Sequence, residues 1–308
     1  MTTSSGATPL SPRTELVYQH DAKRYTLPST IVAVLPYASL HSASQALFKQ
    51  GQQVGGDVPY YAIVTTATIF HPQGGGQPSD VGTIRLDGPS DSDGALFTVL
   101  SARMDTVYSG RVLHFGHFDG YDTVAAVAAF GPGAAVCQAI DVDKRILYSR
   151  FHTAGHVLGA AVRHLVEKEV ASFDELKASH VPGAASCEFR GTIGAGWKDP
   201  IQARVDEYIA QAMPVEIDWW DAADFRRHGL ERLIPPPSAP SGGPDVNAGT
   251  SLQTEKWRVV RIVGAEVYPC GGTHVDTTDQ CGVTRVTKIA RSKGISRVSY
   301  TLAKSGEA

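Results

Sequence analysis

The sequence predicts an α+β fold with two parts: a small N-terminal β-barrel domain, then an α+β domain with a mostly antiparallel sheet. The first part consists of short β-branched and aromatic runs separated by Gly, Pro, Asp and Ser, as in a small barrel or sandwich. From residue 143 onward, apolar residues recur at helical spacing, and helical patterns alternate with strand patterns. The chain has 308 residues, 42% of them hydrophobic, which is enough for two domains of ordinary size.

The individual elements follow from the same patterns. Strands are predicted in the first part at 60–70, 81–87, 95–101, 103–108, 111–115 and 134–141. The long helical pattern covers 143–169. Beyond it, strands are predicted at 185–190, 215–220, 257–264, 283–290 and 295–302, with helices at 199–212 and 221–229.

Three segments describe the predicted domain organisation, with the domain boundary near 135–142. Residues 1–50 are expected to be a partly mobile N-terminal extension, and residues 51–138 the barrel-like domain with its Gly-rich loop. Residues 139–308 form the α+β domain, which carries a Pro/Gly/Ser-rich excursion at 235–250.

Composition excludes several classes of protein. The sequence contains no long uncharged apolar run of the kind that predicts a transmembrane helix. The first residues lack the basic start and apolar stretch of a secretory signal. Four cysteines form no dense secreted-type framework, so reduced thiols and a cytoplasmic location are expected. The sequence indicates no membrane partner and no obligate protein partner.

Charge is distributed unevenly along the chain. The net charge is −3, yet residues 256–304 carry nine Lys/Arg against three acids, a local net charge of +6. This basic segment, which includes Arg291 and Lys293, is compatible with a nucleic-acid partner on one face. A solvated strand face explains the same charges equally well.

Two pairs of residues predict a metal site. His152 and His156 stand four apart in the predicted helix, so both imidazoles lie on one face. Cys270 and His274 flank a Gly-Gly turn that lets both side chains face one point. Each pair alone is modest evidence, but together they supply one sulfur and three nitrogens, a ligand set that favours zinc over magnesium or calcium.

Three motifs resemble one known family. Residues 151–158 (FHTAGHVL) and 268–275 (YPCGGTHV) resemble the metal-binding helix and turn of the editing domain shared by alanyl- and threonyl-tRNA synthetases and free-standing AlaX proteins. Residues 70–82 (FHPQGGGQPSDVG) are similar to the Gly-rich loop of the barrel that precedes that domain. The resemblance covers roughly residues 55 to 302. Since no ATP-binding signature or amino-acid-activating domain is found, it implies a free-standing editing protein.

The resemblance implies zinc-dependent hydrolysis of the ester on mischarged tRNA(Ala), with serine or possibly glycine attached, and one zinc ion per chain. Zinc would either activate water or orient the substrate. The implied substrate residues are Thr153, Ser179 and His180, although the Thr or Gln expected on this strand is not plainly present. The implied contacts with the tRNA acceptor end are Gly74, Gly75, Gly76, Gln77, Arg291 and Lys293.

Two other interpretations of the same residues stay open. One is a diverged zinc hydrolase or lyase acting on a small amino-acid-like substrate. The other is a tRNA-binding protein whose zinc is structural, because closed sites with four protein ligands are usually structural.

Overall fold

Two units make up the fold in the computed structural model, which describes residues 13–48, 58–87, 95–119, 123–236 and 256–303. The first unit comprises Met1–Tyr18, Lys23–Pro72 and Ser79–Ile140. The second comprises Gln19–Ala22, Gln73–Pro78 and Asp141–Ala308. The six-residue segment that contains the Gly-rich loop therefore belongs to the second unit, although its neighbours in the chain belong to the first.

The first unit is built around a closed antiparallel barrel. Its described strands are β1 (Glu15–Leu16), β2 (Thr26–Pro36), β3 (Tyr61–Thr65), β4 (Ala67–Thr68), β5 (Gly82–Leu86), β6 (Leu96–Met104), β7 (Val112–Asp119) and β8 (Ala135–Ile140). Its helices are α1 (Ser42–Gln45) and α2 (Thr123–Ala129). The barrel closes in the order β2-β3-β7-β6-β5-β8, whereas β1 and β4 form a separate parallel pair.

Alternating burial along the strands fills the barrel. In β6, buried and partly exposed residues alternate as a strand with one face in the core requires. Phe97, Phe118 and Phe130 are buried there, and the Phe118 ring meets the other two edge to face at 5.0 and 5.1 Å between centroids. Such pairs add packing energy beyond the area they bury.

His114 is a fully buried polar residue of the barrel. Its Nδ1 lies 2.9 Å from the Ile63 carbonyl, which can only accept, so Nδ1 carries the proton. Nε2 then accepts from the Thr68 hydroxyl at 2.8 Å. Burial lowers the pKa of His114 to about 4, despite the hydrogen bond to Ile63, so the imidazole is neutral at pH 7.

The second unit combines three helices with two antiparallel sheets. Its helices are α3 (Val142–Val166), α4 (Lys198–Ala210) and α5 (Ala222–Arg227). A four-stranded sheet has the order β14-β15-β10-β9, formed by β9 (Asp174–Ser179), β10 (Ser186–Arg190), β14 (Thr284–Ser292) and β15 (Ile295–Leu302). A three-stranded sheet has the order β11-β12-β13, formed by β11 (Val215–Trp220), β12 (Trp257–Ile262) and β13 (Glu266–Pro269).

Helix α3 is the central element of the second unit. It begins after Asp141, whose side chain accepts from the Lys144 amide as an N-cap. More than half of its residues are buried, because it packs in the core against both α4 and the four-stranded sheet. The guanidinium of Arg145, itself buried, donates to the Ala22 carbonyl at 2.7 Å. This burial fixes the rotation of the helix and therefore the direction of its side chains.

The predicted mixture of helices with antiparallel sheets is confirmed, and the barrel is a closed one of six strands. Several details differ from the predicted elements. Strands β1 and β2, which lie within residues 1–50, and helices α1 and α2 were not predicted. Strand β6 replaces the two strands predicted at 95–101 and 103–108, and β9 and β13 were also missed. Polar or Pro-interrupted sequences hide β2 and β9, whose stability comes from pairing with neighbours.

The predicted domain boundaries stay a prediction. Residues 1–12 and 49–50 of the expected extension, and 237–250 of the Pro-rich excursion, lie outside the described residues. Within the described ranges, no helix has both the length and the apolar character needed to cross a bilayer.

His114 predicts an acid-sensitive barrel. The unfolded imidazole binds its proton near pH 6.5, whereas the folded one does so only near pH 4. Stability is therefore complete above pH 6.5 and falls as the pH drops, by about 3 kcal/mol at pH 4. Chemical denaturation between pH 4 and 8 should show this loss in the natural chain and in a His41→Gln control. An equal loss in His114→Gln would contradict the assignment.

Candidate metal centre

Four side chains of the second unit converge as the sequence predicts. One ligand atom from each of His152, His156, Cys270 and His274 lies within 4.8 Å of the other three. Cys270 Sγ is 3.4 Å from Nε2 of His152 and 3.4 Å from Nε2 of His274. Three nitrogens and one sulfur at such distances can hold one metal ion.

Local structure explains how the two pairs meet. His152 and His156 occupy successive turns of α3, and Cys270 and His274 follow strand β13. The turn packs tightly on the helix at Gly272, where an added Cβ would lie 2.2 Å from Cε1 of His152. Only glycine lets the turn approach the helix this closely.

Gln77 holds the two pairs together. This fully buried side chain accepts at Oε1 from Nδ1 of His152 at 2.7 Å and from the Thr273 amide at 3.0 Å. Its amide nitrogen donates to the Thr273 hydroxyl at 2.8 Å. That hydroxyl also lies 2.7 Å from the hydroxyl of Ser149, one turn before His152. Since an amide oxygen only accepts, Nδ1 of His152 carries a proton, and Nε2, which faces Cys270, is the nitrogen that can bind a metal ion.

His274 has a comparable support. Its Nδ1 lies 3.1 Å from the hydroxyl of Thr153, which is fully buried and also accepts from the Val275 amide at 3.2 Å. With Nδ1 engaged, Nε2 of His274 faces Cys270. Thr153 therefore orients a candidate ligand.

A carboxylate contacts the remaining histidine. Nδ1 of His156 lies 3.3 Å from Oε2 of Glu266, and both side chains are about nine-tenths buried. Burial opposes protonation of His156, but contacts with Cys270 and Glu266 outweigh it and raise its pKa to about 10. Burial also raises the pKa of Cys270, but the hydrogen bond with His156 prevails and leaves that pKa lowered. Because His156 holds its proton strongly, a metal ion that binds it must displace that proton.

The quartet borders a cavity of about 380 Å³. His152, His156 and Cys270 are in its wall, together with Gly75, Gly76 and Gly271 from the two glycine-rich turns. Gly76 adopts φ +81°, and a Cβ there would lie 2.5 Å from the Ala178 carbonyl oxygen. The backbone of the Gly-rich loop thus forms part of the cavity wall where no larger residue fits.

His180 also lines this cavity and is 3% exposed. Its Nδ1 lies 2.7 Å from the Tyr300 hydroxyl, which donates its only proton to the Phe151 carbonyl at 2.8 Å. Nδ1 must therefore carry a proton, and Nε2 is left as an acceptor. Burial, with a smaller effect from charge on His156, lowers the pKa of His180 to about 3, so the ring is neutral. It stacks on His152 at 4.4 Å between centroids.

The other predicted site residues differ in burial and in their distance along the chain from the candidate ligands. Gln77 and Thr153 are buried and hold candidate ligands, although the sequence had assigned Gln77 to RNA contact and Thr153 to substrate. Ser179 is half-buried at the end of β9 and pairs with Ser186; Gly74 forms a bridge with Gln77. Arg291 and Lys293 are exposed at the β14–β15 turn.

Four residues with roles in the site were not singled out from the sequence: Ser149, Glu175, Glu266 and Tyr300. Ser149 precedes His152 by three positions, which is the spacing of one helical turn, so helical periodicity alone places it beside the ligands. Glu175, Glu266 and Tyr300 lie on strands, and their proximity to the quartet depends on strand pairing that the local sequence does not encode.

Comparison with known proteins agrees with the predicted resemblance. Residues 257–299 match the family described as threonyl and alanyl tRNA synthetase second additional domain. The chain is 28% identical over 244 residues to the alanyl-tRNA editing protein AlaX-M of Methanosarcina barkeri, covering 78% of this chain and 88% of the relative. It is 26% identical over 241 residues to AlaX-L of Pyrococcus horikoshii, covering 78% of this chain and 50% of that protein.

A larger class of enzyme contains a similar region. The alanine–tRNA ligase of Methanosphaera stadtmanae is 24% identical over 298 residues, which covers 96% of this chain but 27% of the ligase. The chain thus spans about a quarter of that ligase, half of AlaX-L and most of AlaX-M. The predicted similarity to AlaX-type editing proteins and to the second additional domain is confirmed.

Gln77 predicts a measurable loss of metal affinity. Gln77→Ala leaves the His152 Nδ1–H and the Thr273 amide without their acceptor, and supports of this kind contribute about 10- to 100-fold to metal affinity. Competition against a chelator, using zinc and cobalt, should show a loss in this range. The exposed Gln211→Ala is the matched control. Equal affinity in Gln77→Ala and the control would contradict this role.

Proposed function

We propose that this chain, similar along most of its length to AlaX-M, is a zinc-dependent hydrolase of mischarged tRNA(Ala). It cleaves the carboxylic ester between a wrong amino acid and the terminal adenosine, with Ser-tRNA(Ala) as the first substrate and Gly-tRNA(Ala) as the second. The matched relatives named alanyl-tRNA editing proteins support this choice of substrate.

The donor set supports zinc. One thiolate with three imidazoles is a common zinc environment. In a tetrahedral site with ordinary zinc–sulfur and zinc–nitrogen bonds, sulfur and nitrogen lie about 3.5 Å apart. The separations of Cys270 Sγ from His152 and His274 are both 3.4 Å, so the described side chains fit one zinc ion.

The observation that carries the proposal is that the quartet opens onto a cavity. Three of its four members line a space of about 380 Å³, which is within the range of small-ligand sites. A purely structural zinc site is usually enclosed by its ligands and has no such access. The cavity therefore favours an active centre over the structural alternative.

The chemistry divides between the metal and the chain. Zinc, when bound, would supply Lewis acidity that activates either water or the ester carbonyl. Gln77, Thr153 and Glu266 hold the imidazoles in the orientation that this requires. His180 Nε2 accepts a hydrogen bond from a hydroxyl group in the cavity.

Recognition of serine is the second part of the proposal. A pocket built to pair a substrate hydroxyl rejects an analogue without it, because its own polar group is then left unpaired. His180 is the residue among the predicted substrate contacts that lines the cavity, whereas Ser179 and Thr153 are absent from its lining. We assign recognition of the serine hydroxyl to His180.

Recognition of tRNA is the third part of the proposal. Gly75 and Gly76 line the cavity and would approach the acceptor end, with Gly74 beside them. The exposed cations Arg291 and Lys293 would bind phosphates. The same proposal places the chain in the cytoplasm, without a membrane partner. The four cysteines, all within the described residues, form no disulfide, as expected in a reducing compartment.

The direct test is deacylation of Ser-, Gly- and Ala-tRNA(Ala) by the zinc-loaded chain. Serine should be released fastest and alanine spared. His156→Ala removes a ligand and should reduce release of serine at least about 100-fold, together with loss of bound zinc. The exposed His228→Ala should retain both.

Two results would contradict the proposal. If zinc is bound but none of the three substrates is deacylated, the metal is structural or serves another substrate. If His156→Ala loses zinc yet deacylates Ser-tRNA(Ala) at the unsubstituted rate, the metal takes no part in the reaction.

A further inference from the structure

Two carboxylates line the same cavity beside the metal cluster. We propose that Glu175 and Glu266 form a subsite for a primary ammonium group, namely the α-ammonium of the aminoacyl ester. The inference deepens the proposed function and rests on it for the identity of the substrate. The pair is distinct from the four candidate metal ligands.

Glu266 is the first carboxylate of this subsite, and its side chain is 9% exposed. Its Oε2 lies 3.3 Å from Nδ1 of His156, but the contact lacks hydrogen-bond geometry, so this buried oxygen has no hydrogen-bond partner. A buried carboxylate oxygen without a hydrogen bond is costly. A donor that enters the cavity would relieve this cost.

Glu175, on strand β9 of the other sheet, is the second carboxylate. Its Oε1 accepts from Nε of Arg163 at 3.1 Å, and its side chain is 15% exposed. Burial, and then the charge of Glu266, raises the pKa of Glu175. The two carboxyl groups therefore lie close together in a poorly solvated place.

Gly159 shows where the two carboxylates converge. A Cβ added at Gly159 would lie 3.8 Å from Oε1 of Glu266 and 3.9 Å from Oε1 of Glu175. Both oxygens therefore face the same point of helix α3. An ammonium group placed between the two carboxylates can donate to each of them.

Local charge favours a cation. Arg163 pairs with Glu175 and, at the surface, with Glu167, whereas Glu266 pairs with His156. When His156 is a neutral metal ligand, Glu266 loses this cationic partner, and an ammonium group can replace it.

The geometry favours ammonium over a second metal ion. Among the residues that the structure describes, the group of three or more side chains suited to a metal is the His/Cys quartet, and neither glutamate joins it. Divalent cations such as calcium take six or more oxygen ligands, more than this pair supplies.

The subsite also lies at a suitable place for the reaction. Glu266 contacts Nδ1 of His156, so its carboxylate is one imidazole ring away from the ligand nitrogen of the same residue. An amino acid bound there by its ammonium places its ester carbonyl, two bonds away, toward the cluster. Uncharged or N-blocked acyl groups would lack this anchor.

Binding of non-hydrolysable analogues tests the subsite without catalysis. The probes are adenosine 3′-amides of serine and of glyceric acid, which replaces the ammonium with a hydroxyl. Titration calorimetry uses the zinc-loaded full chain at about pH 6.5, below the pKa of an α-amino group. The serine amide should bind about 10- to 100-fold more tightly, as expected for hydrogen bonds to charged groups.

Three variants assign the preference to the two carboxylates. Glu175→Gln should reduce the preference to about threefold or less, with zinc content unchanged. Glu266→Gln should reduce it as far, and its zinc content is measured in parallel because Glu266 also contacts His156. Glu216, whose exposed side chain forms an ion pair with Arg261, provides the matched control. Glu216→Gln should keep the full preference. Glu175 does not contact a ligand, so its variant separates ammonium binding from support of His156.

Equal binding of the two amides, no binding of either, or an unchanged preference in both glutamate variants would overturn the subsite. Parallel deacylation of Ser-tRNA(Ala) separates this failure from failure of the proposed function. Hydrolysis without ammonium preference refutes the subsite alone. Ammonium preference without hydrolysis of any tRNA leaves the subsite and refutes the editing assignment.

Discussion

The carboxamide of Gln77 joins two parts of the candidate metal centre that lie far apart in the chain. Its oxygen accepts from the helix residue His152 and from the turn residue Thr273, while its nitrogen donates to the Thr273 hydroxyl. His152 and Cys270 are 118 positions apart in sequence, yet Nε2 and Sγ are 3.4 Å apart in space. A fully buried amide with three hydrogen bonds fixes both the tautomer of one ligand and the position of the turn that carries two others.

The same constraint explains the small residues around the site. A side chain at Gly272 would collide with the His152 ring, and one at Gly76 would collide with the backbone of β9. At Gly155 an added Cβ would lie 2.3 Å from the His180 ring. Each glycine lets a polar side chain or main chain approach the cluster from a different direction. The result is a set of imidazoles, each oriented by a neighbouring polar group, next to a cavity whose wall also contains the carboxylates of Glu175 and Glu266. Orientation of this kind lowers the reorganisation that a reaction requires.

The candidate metal ligands could be predicted because each pair is a local pattern: four apart on a helix, or four apart around a Gly-Gly turn. The mixed fold and its long helix followed from periodicity in the same way. The supporting residues were less accessible. Gln77 lies in the Gly-rich motif, but this motif does not indicate whether the side chain faces RNA or, as in the structure, the core. Glu175 lies on β9, whose charged sequence DELKAS resembles a loop and becomes a strand only by pairing with β10.

The central claim is that the four side chains bind one zinc ion at the edge of the cavity. Anomalous X-ray diffraction from crystals of the zinc-loaded chain, collected on both sides of the zinc absorption edge, tests it directly. A single anomalous peak should lie about 2.3 Å from Sγ of Cys270 and about 2.0 to 2.1 Å from one nitrogen each of His152, His156 and His274. No peak at the quartet, or a peak bound by other residues, would contradict the account.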